Sequence, residues 1–216
     1  MLAQIYGGLQ LVFQAAFIYL GVTYAIGITL GSLMGYLGGA FDIVVQRLIE
    51  ILANVPFLYV VIIIADRLGR DDVTLVTILL VLCIFSWIGI TYYMRTAAYR
   101  EKARDYVAAA RVLGAGPARV IFRHVLPNAV SIVVTLLPFS VVGVITALTA
   151  LDFIGFGLPD KYPSWGRILQ DGVTNLDYPW IVASVFGGMV AVLLLVTFVG
   201  EAVREAFDPK KFTTYR

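Results

Sequence analysis

The sequence predicts an all-α membrane protein, a polytopic bundle of helices, and three observations point to this class. The 216 residues are 60% hydrophobic and only 14% charged, whereas a soluble domain has roughly 45–50% apolar and about 25% charged residues. One soluble core of this size could not bury so much apolar surface. Long apolar stretches recur along the chain, and the basic residues are concentrated in the segments between them.

Five stretches are long enough to cross a hydrocarbon core of about 30 Å, which takes about 20 residues of helix. They cover approximately residues 9–37, 43–65, 73–94, 130–151 and 180–199. The first stretch is uncharged and too long for the apolar part of a cleavable signal peptide. Pro56 and Pro138 lie inside the second and fourth stretches, where each removes a backbone donor, so we expect a bend at both.

The distribution of Lys and Arg predicts the orientation of these spans. Residues 95–123 contain seven basic and two acidic residues, whereas residues 152–178 contain two basic and four acidic ones. Alternate sides of the membrane therefore hold 12 and 4 basic residues. This places segment 95–123 and the C-terminus in the cytoplasm. Five spans then put Met1 outside, which predicts that one further N-terminal span is missing from the chain.

Several classes of site are excluded by residue counts and motifs. The single cysteine, Cys83, excludes an internal disulfide, and the single histidine, His124, excludes a histidine-rich metal cluster. The chain contains no G-x-x-x-x-G-K-[ST], no H-E-x-x-H and no C-x-x-C motif. A net charge of +2 gives no reason to expect nucleic acid as a partner. We therefore expect no catalytic residue, no metal and no cofactor bound by this chain.

Two patterns in the first two spans concern packing. Gly27, Gly31 and Gly35 recur at four-residue spacing, which allows another helix to approach closely, either within the chain or at a subunit interface. Arg47 and Glu50 share a face of the second span with Asn54. The charged pair can neutralise itself near the membrane surface, and the deeper Asn54 is the better candidate for a polar pathway.

The basic segment predicts two short helices joined at a glycine. Residues 105–113 are good helix formers, and Gly114 is suited to end this helix. Pro117 is suited to the first turn of a second helix that reaches His124, and Pro127 should end it before the fourth span. The run of alanines at 108–110 would be a smooth surface for a groove on a partner protein. The alternative is a solvated helix or one that faces anionic lipid.

The spacing of Ala109-Ala110, Gly114 and Leu126-Pro127 resembles the EAA loop of bacterial ABC-importer permeases. That loop reads E-A-A, three residues, G, nine residues, I, any residue, L-P. Ala108 and His124 depart from it at the glutamate and isoleucine positions. The strings RHVLPN at 123–128, GSLMGYLGGAFD at 31–42, LTALDFIGFGLP at 148–159 and GEAVREAFDPKK at 200–211 resemble the dipeptide/oligopeptide permease family. The last two are most similar to its microcin C/peptide-importer subtype.

The resemblance implies a type I ABC-importer fold, with residues 1–216 forming one transmembrane permease domain. It further implies a cytoplasmic EAA-like coupling loop at 95–129 and an outer loop at 152–179. The chain would be a multi-pass subunit of an ATP-driven importer of peptides or peptide-like solutes in the bacterial inner membrane. The implied partners are cytoplasmic ATP-binding subunits that carry ATP and Mg, a second homologous permease subunit, a periplasmic or extracellular solute-binding protein and membrane lipid.

The candidate functional residues fall into three groups. The ATPase-coupling group is Asp105, Ala109, Ala110, Arg111, Gly114, Arg119, Arg123, His124, Leu126 and Pro127. The candidates for lining the passage are Asn54, Thr135, Ser140 and Thr146. The candidates for contact with the binding protein are Asp160, Tyr162 and Trp165. For this outer loop, a tight turn at the membrane interface is the competing interpretation.

Two other functions are open from the residues alone. An ATP-independent secondary transporter or channel subunit would more often show carboxylates at mid-membrane or repeated half-helices. Here the acidic residues lie near the ends of the predicted spans. A structural or receptor-like membrane subunit that carries no solute is the second alternative.

Overall fold

The computed structural model describes residues 1–69 and 72–207, and this part of the chain is all-α, with no β-strand. The helices are α1 (Leu2–Leu37), α2 (Gly39–Ala53), α3 (Phe57–Leu68), α4 (Leu75–Lys102), α5 (Asp105–Val112), α6 (Pro117–Val120), a π-helical segment (Ile121–Val125), α7 (Leu126–Phe153), α8 (Trp165–Thr174) and α9 (Trp180–Ala206). The last four residues of the string at 200–211 and the C-terminus, which was predicted to be cytoplasmic, lie outside the described residues.

Among the described residues, four helical stretches are individually long and apolar enough to cross a membrane. They are Leu2–Leu37, Leu75–Lys102, Pro117–Phe153 and Trp180–Ala206. Helices α2 and α3 pass the same test only together, and they meet at a bend of 66°. Counting this bent pair as one span gives the five spans that the sequence predicts.

The bend between α2 and α3 has a local cause at Pro56. Proline has no N–H and disfavours helical backbone in the residue before it. Helix α2 accordingly ends at Ala53, and α3 begins directly after Pro56. Asn54, which caps α2, donates from its side-chain amide to the Glu50 carbonyl at 2.7 Å. Arg47 and Glu50 form an ion pair on α2, both of them substantially exposed. The pair therefore has the structural role that its spacing allows.

Pro138 does not interrupt its helix, in contrast to Pro56. Helix α7 continues through Pro138 from Leu126 to Phe153. The proline ring lies against Gly200 of α9, where a Cβ atom would collide with the ring. Membrane helices tolerate a proline where neighbouring groups compensate for the lost backbone bond.

The described residues divide into two compact units. Unit 1 consists of Met1–Leu20, Pro56–Cys83 and Leu137–Glu201, and unit 2 of Gly21–Val55, Ile84–Leu136 and the residues that follow Glu201. In unit 1, the buried core is formed by Val12, Ile145, Trp165, Ile168 and Val185.

Unit 2 is held together by close packing of α1 on α4 at the predicted glycines. A Cβ added to Gly31 would lie 2.5 Å from the Thr91 carbonyl oxygen, and one added to Gly27 would lie 2.7 Å from the Ile90 Cβ. At Gly35 the added atom would collide with the Arg95 carbonyl oxygen. The glycine pattern therefore serves packing within the chain.

A bidentate ion pair connects α2 to α4 in the same unit. Arg95 donates from Nε and Nη2 to the two carboxylate oxygens of Asp42, at 2.6 Å each. Paired parallel hydrogen bonds of this kind give fixed geometry as well as energy. They attach the start of α2 to the last third of α4.

Candidate functional site

The first short helix of segment 95–129 ends at the glycine that the sequence indicates. Gly114 has φ of +84°, a conformation that costs glycine little. Its N–H donates to the Arg111 carbonyl at 2.9 Å, and the Ala115 N–H donates to the Ala110 carbonyl at 3.0 Å. These two bonds are those of a Schellman motif, in which a left-handed glycine satisfies the last carbonyls of a helix.

The second short helix begins at Pro117 as predicted, but the prediction that Pro127 ends it is wrong. A π-helical segment, Ile121–Val125, carries the chain directly into α7. The Leu126 N–H bonds back to the Ile121 carbonyl, one residue further than in an α-helix. Pro127 is then the second residue of α7, within the first turn of a helix, where proline is tolerated.

A small apolar core supports these short helices. It consists of Tyr36, Ala98, Val107, Val120, Ile121 and Val125. Leu126, one of the predicted coupling residues, packs at its edge while partly exposed. The side chains of this core come from α1, α4, α5, α6 and the π-helical segment. We call α5, α6 and the π-helical segment, residues 105–125, the hairpin. One face of the hairpin is therefore buried against the span ends.

The opposite face of the hairpin is exposed. Ala109 is exposed, and Val112 and Leu113 at the tip are each 87% exposed. Apolar side chains presented in this way, among polar neighbours, are typical of an interaction surface. We call the exposed residues of α5 and its tip, 108–113 apart from the buried Ala110, the hairpin tip surface.

The basic residues of the hairpin differ in their partners. Arg111 donates from Nε to the Tyr36 hydroxyl at 3.2 Å, and its guanidinium lies over the Tyr36 ring, with Cζ 5.0 Å from the centroid. Arg119 and Arg123 are exposed, and neither forms an ion pair among the residues that the structure describes. These two side chains can therefore meet an acidic partner.

The buried carboxylate of Glu101 connects the end of α4 to α5. Glu101 is only 6% exposed and accepts a hydrogen bond from the Tyr106 hydroxyl at 2.6 Å. Burial and this bond raise the pKa of Tyr106 to about 12, which favours the protonated phenol that donates to Glu101. The His124 ring is 6.1 Å from the Tyr106 ring. Asp105 lies in the first turn of α5, where a negative charge favours the helix dipole.

The outer loop is built around Asp152. Its carboxylate accepts from the Leu158 N–H at 2.6 Å and from the Ser164 hydroxyl at 2.5 Å. Gly155, between Asp152 and Leu158, has a positive φ of +83°. A Cβ added at Gly157 would collide with Asp152. The start of the loop is therefore a tight turn, which was the competing interpretation of its sequence.

The three predicted contact residues of the outer loop are not equally accessible. The Asp160 side chain is 87% exposed and Tyr162 is partly exposed. Trp165 is only 2% exposed, and its indole N–H donates to the Ile5 carbonyl at 2.8 Å. The indole covers Gly8 of α1, where a Cβ would lie 2.6 Å from the ring. Trp165 is thus a packing residue of unit 1, which corrects the prediction that it meets a partner.

We expect the Asp152→Asn variant to loosen this turn, because an amide offers one acceptor oxygen where two are used. Leaving one buried donor unpaired costs about 1–3 kcal/mol, so amide hydrogen exchange at Leu158 should accelerate roughly tenfold or more. Asp160→Asn is the matched control. Asp160 is largely exposed and pairs with Arg167 at 3.2 Å, which is worth about 0–1 kcal/mol. Equal exchange rates at Leu158 in the two variants would contradict this role of Asp152.

Comparison with known proteins identifies the family. Residues 27–213 match the family described as "binding-protein-dependent transport system inner membrane component". The chain belongs to this family. It is therefore a multi-pass component of the inner membrane, in agreement with its apolar helices.

Three relatives illustrate the similarity. The chain is 45% identical over 186 residues to the peptidoglycan transport system permease protein YejE of Agrobacterium fabrum, covering 86% of this chain and 48% of that one. It is 40% identical to the inner membrane ABC transporter permease protein YejE of Escherichia coli, with 86% and 53% covered. It is 30% identical to the oligopeptide transport system permease protein OppC of Haemophilus influenzae, with 94% and 64% covered. The chain thus spans about half to two thirds of the length of these relatives.

A solved structure shows the same fold. The chain is similar to the MetNI methionine ABC transporter in an inward-facing conformation, with a TM-score of 0.74 and 95% of this chain and 97% of that chain covered. Because the sequence identity is only 16%, this similarity is evidence for the fold alone. The predicted type I importer permease fold is confirmed.

Three of the four passage candidates of this permease-family chain form hydrogen bonds within their own helices. Asn54, Thr135 and Thr146 each donate to a carbonyl about one turn earlier in the same helix, at 2.7–2.8 Å. Such bonds are the usual way in which polar side chains of a membrane helix are accommodated. Asn54 and Thr135 belong to unit 2, and Ser140 and Thr146 to unit 1. Their role in a passage stays a prediction.

Sequence reasoning missed two residues that organise the hairpin. Glu101 could have been found from its i, i+3 spacing to Arg104, an ion-pair signal on a helix. Tyr36 gave no signal, since it is 75 residues from Arg111 in the sequence. Contacts at such separations depend on tertiary packing.

Proposed function

We propose that this chain is a transmembrane subunit of an ATP-driven importer for peptides or peptide-like solutes, and that segment 95–129 couples it to a separate ATP-binding subunit. The main support for the proposal is the hairpin tip surface. One face of the hairpin is buried against the span ends, while Val112 and Leu113 on the other face are exposed. Membership of the binding-protein-dependent family supports the importer class. The named peptidoglycan and oligopeptide permeases support the class of solute.

The proposed assembly contains further partners. A second homologous permease subunit completes the passage, and a periplasmic or extracellular binding protein delivers the solute near Asp160 and Tyr162. ATP and Mg bind to the ATP-binding subunits, and the C-terminus lies in the cytoplasm. ATP binding and solute delivery favour different states of one bistable helix bundle, and this difference drives transport.

Cross-linking tests the docking surface. In a Cys83→Ala background, Leu113→Cys should form a cross-link to the ATP-binding subunit with which the chain is co-expressed, because Leu113 is at the projecting tip. The matched variant Asp160→Cys, equally exposed but in the outer loop, should give no such cross-link. A complex that purifies without an ATPase and yields no Leu113 cross-link would show that the proposed function is wrong and would favour an ATP-independent transporter.

The same two cysteines test the orientation. A membrane-impermeant thiol reagent added to intact spheroplasts should label Asp160→Cys at once. Leu113→Cys should be labelled only after the membrane is permeabilised. Labelling of Leu113→Cys from the outside would place the hairpin on the wrong side of the membrane for an ATP-driven partner.

A further inference from the structure

Tyr36, near the C-terminal end of α1, is the point at which α1 meets the helix that carries the hairpin tip surface. The residue is 7% exposed and belongs to the apolar core under the hairpin. Its hydroxyl accepts from Arg111 Nε at 3.2 Å, and its ring faces the Arg111 guanidinium, with Cζ 5.0 Å from the centroid. The Lys102 ammonium lies 5.7 Å from the same centroid. Cations over an aromatic face are attracted by its quadrupole.

The end of α1 that carries Tyr36 is rigidly held. Gly31 and Gly35 let α1 lie directly on the backbone of α4. Met34, next to them, is 1% exposed and packs with Val45, Ile49 and Trp87. Closely packed protein interiors have low compressibility, so they transmit a displacement instead of absorbing it. A force applied to Tyr36 therefore moves the end of α1 as a body.

Helix α5 is joined to α4 by a short turn and by the Tyr106–Glu101 hydrogen bond. Only Ala103 and Arg104 separate it from the end of α4. The other buried members of the supporting core are alanine, valine and isoleucine side chains, whose contacts are not directional. The hydrogen bond and the stacked guanidinium of Arg111 on Tyr36 are directional. They set the angle of α5 on α1.

We propose that Tyr36 is a positioning residue that fixes α5 to α1, so that displacement of the hairpin tip surface moves the first span directly as well as through α4. The inference rests on the function proposed above, because it takes the partner ATPase as the source of the displacement. The covalent connection alone would move α4 first. The Tyr36–Arg111 contact adds a second route that reaches α1 without passing along the backbone.

Distance measurements between α1 and α5 test this role. Spin labels are attached at Thr29→Cys and at Arg104→Cys, directly before α5; both positions are exposed and lie outside the hairpin tip surface. The measurements use a Cys83→Ala background and the complex with its ATP-binding subunit. With Tyr36 present, pulsed EPR should give one narrow distance distribution that is the same without nucleotide and with MgATP. In Tyr36→Phe the distribution should be about twofold broader without nucleotide, since the directional bond is lost, and its mean should shift on addition of MgATP.

Further variants separate positioning from general damage. Tyr36→Leu, which removes the ring as well, should broaden the distribution more than Tyr36→Phe. The double variant Tyr36→Phe/Arg111→Gln should be no broader than Arg111→Gln alone, because Arg111→Gln already removes both the hydrogen bond and the stacked guanidinium and partners in one contact are not additive. Tyr99→Phe is the matched control, since Tyr99 is 72% exposed on α4, and it should match the parent protein.

Two results of the distance measurements would overturn the role of Tyr36. A Tyr36→Phe distribution that stays narrow in both nucleotide states overturns the inference. A parent distance that itself changes with MgATP overturns it as well, because the contact would then not be a rigid link. The nucleotide-free arm can also be measured on the chain without its ATP-binding subunit. Failure to capture an ATP-binding subunit therefore counts against the proposed function, whereas absence of broadening counts against the role of Tyr36.

Discussion

The Gly35→Val variant is expected to lose about 3 kcal/mol of stability, near the upper end of the cost of overpacking. A Cβ at this position would collide with the Arg95 carbonyl oxygen and would lie 2.8 Å from both the Ala98 Cβ and the Tyr99 nitrogen. Two of these three obstacles are backbone atoms of α4, which cannot rotate away as a flexible side chain can. The two helices must therefore separate. Thermal unfolding in detergent, followed by the loss of monodisperse protein, measures the effect.

Gly21→Val provides the matched control on the same helix. Nothing lies within 4 Å of a Cβ added to Gly21, so the change should shift stability by less than about 0.5 kcal/mol, as for other surface substitutions. Similar unfolding temperatures for the two variants would mean that the close approach of α1 to α4 does not contribute to stability. A low level of Gly35→Val in the membrane, with normal Gly21→Val, would agree with the expected loss.

Gly114→Val is expected to have the largest effect on coupling. Valine in a left-handed conformation costs roughly 1–2 kcal/mol or more, and the φ of +84° at Gly114 requires that conformation. The helix end must therefore rearrange, and the Schellman bonds of Gly114 and Ala115 with it. A penalty of about 1.4 kcal/mol on the docked geometry is a tenfold loss in equilibrium. The Leu113→Cys cross-link to the ATP-binding subunit should fall by about that factor.

Gly116→Val is the control for this change. Neither glycine has an atom within 4 Å of an added Cβ, and Gly116 has an ordinary φ of −71°. The two variants therefore differ in backbone conformation and not in available space. Gly114→Asn should lie between them, since asparagine tolerates the left-handed region. Full cross-linking in Gly114→Val would show that the cap does not position the hairpin tip surface.

The predictions that succeeded depend on local chemistry. The apolar stretches and the bend at Pro56 follow from residues adjacent in sequence, as does the cap at Gly114. Their energies are set within one or two turns of helix. The alignment of Gly27, Gly31 and Gly35 is also local, although the partner helix was not known in advance.

The two wrong predictions, for Pro127 and Trp165, depend on a change in helix register and on a contact between residues far apart in sequence. Pro127 was expected to end a helix, but the π-helical bond from Leu126 to Ile121 changed the register directly before it. Trp165 lies in a predicted surface loop, and a loop sequence does not reveal that its indole will cover Gly8. In both cases the residues adjacent in sequence allow more than one conformation, and the hydrogen bond or packing contact just described selects one of them.

The sequence by itself determined that this chain lies in a membrane, which segments cross it and where the exposed hairpin begins and turns. Those features depend on transfer free energies and backbone preferences, which each residue carries with it. Only the tertiary structure decided which helices touch, that Asp152 is enclosed by its own loop, and that Tyr36 meets Arg111. Such contacts form because close packing in three dimensions selects one arrangement among many that the apolar pattern allows.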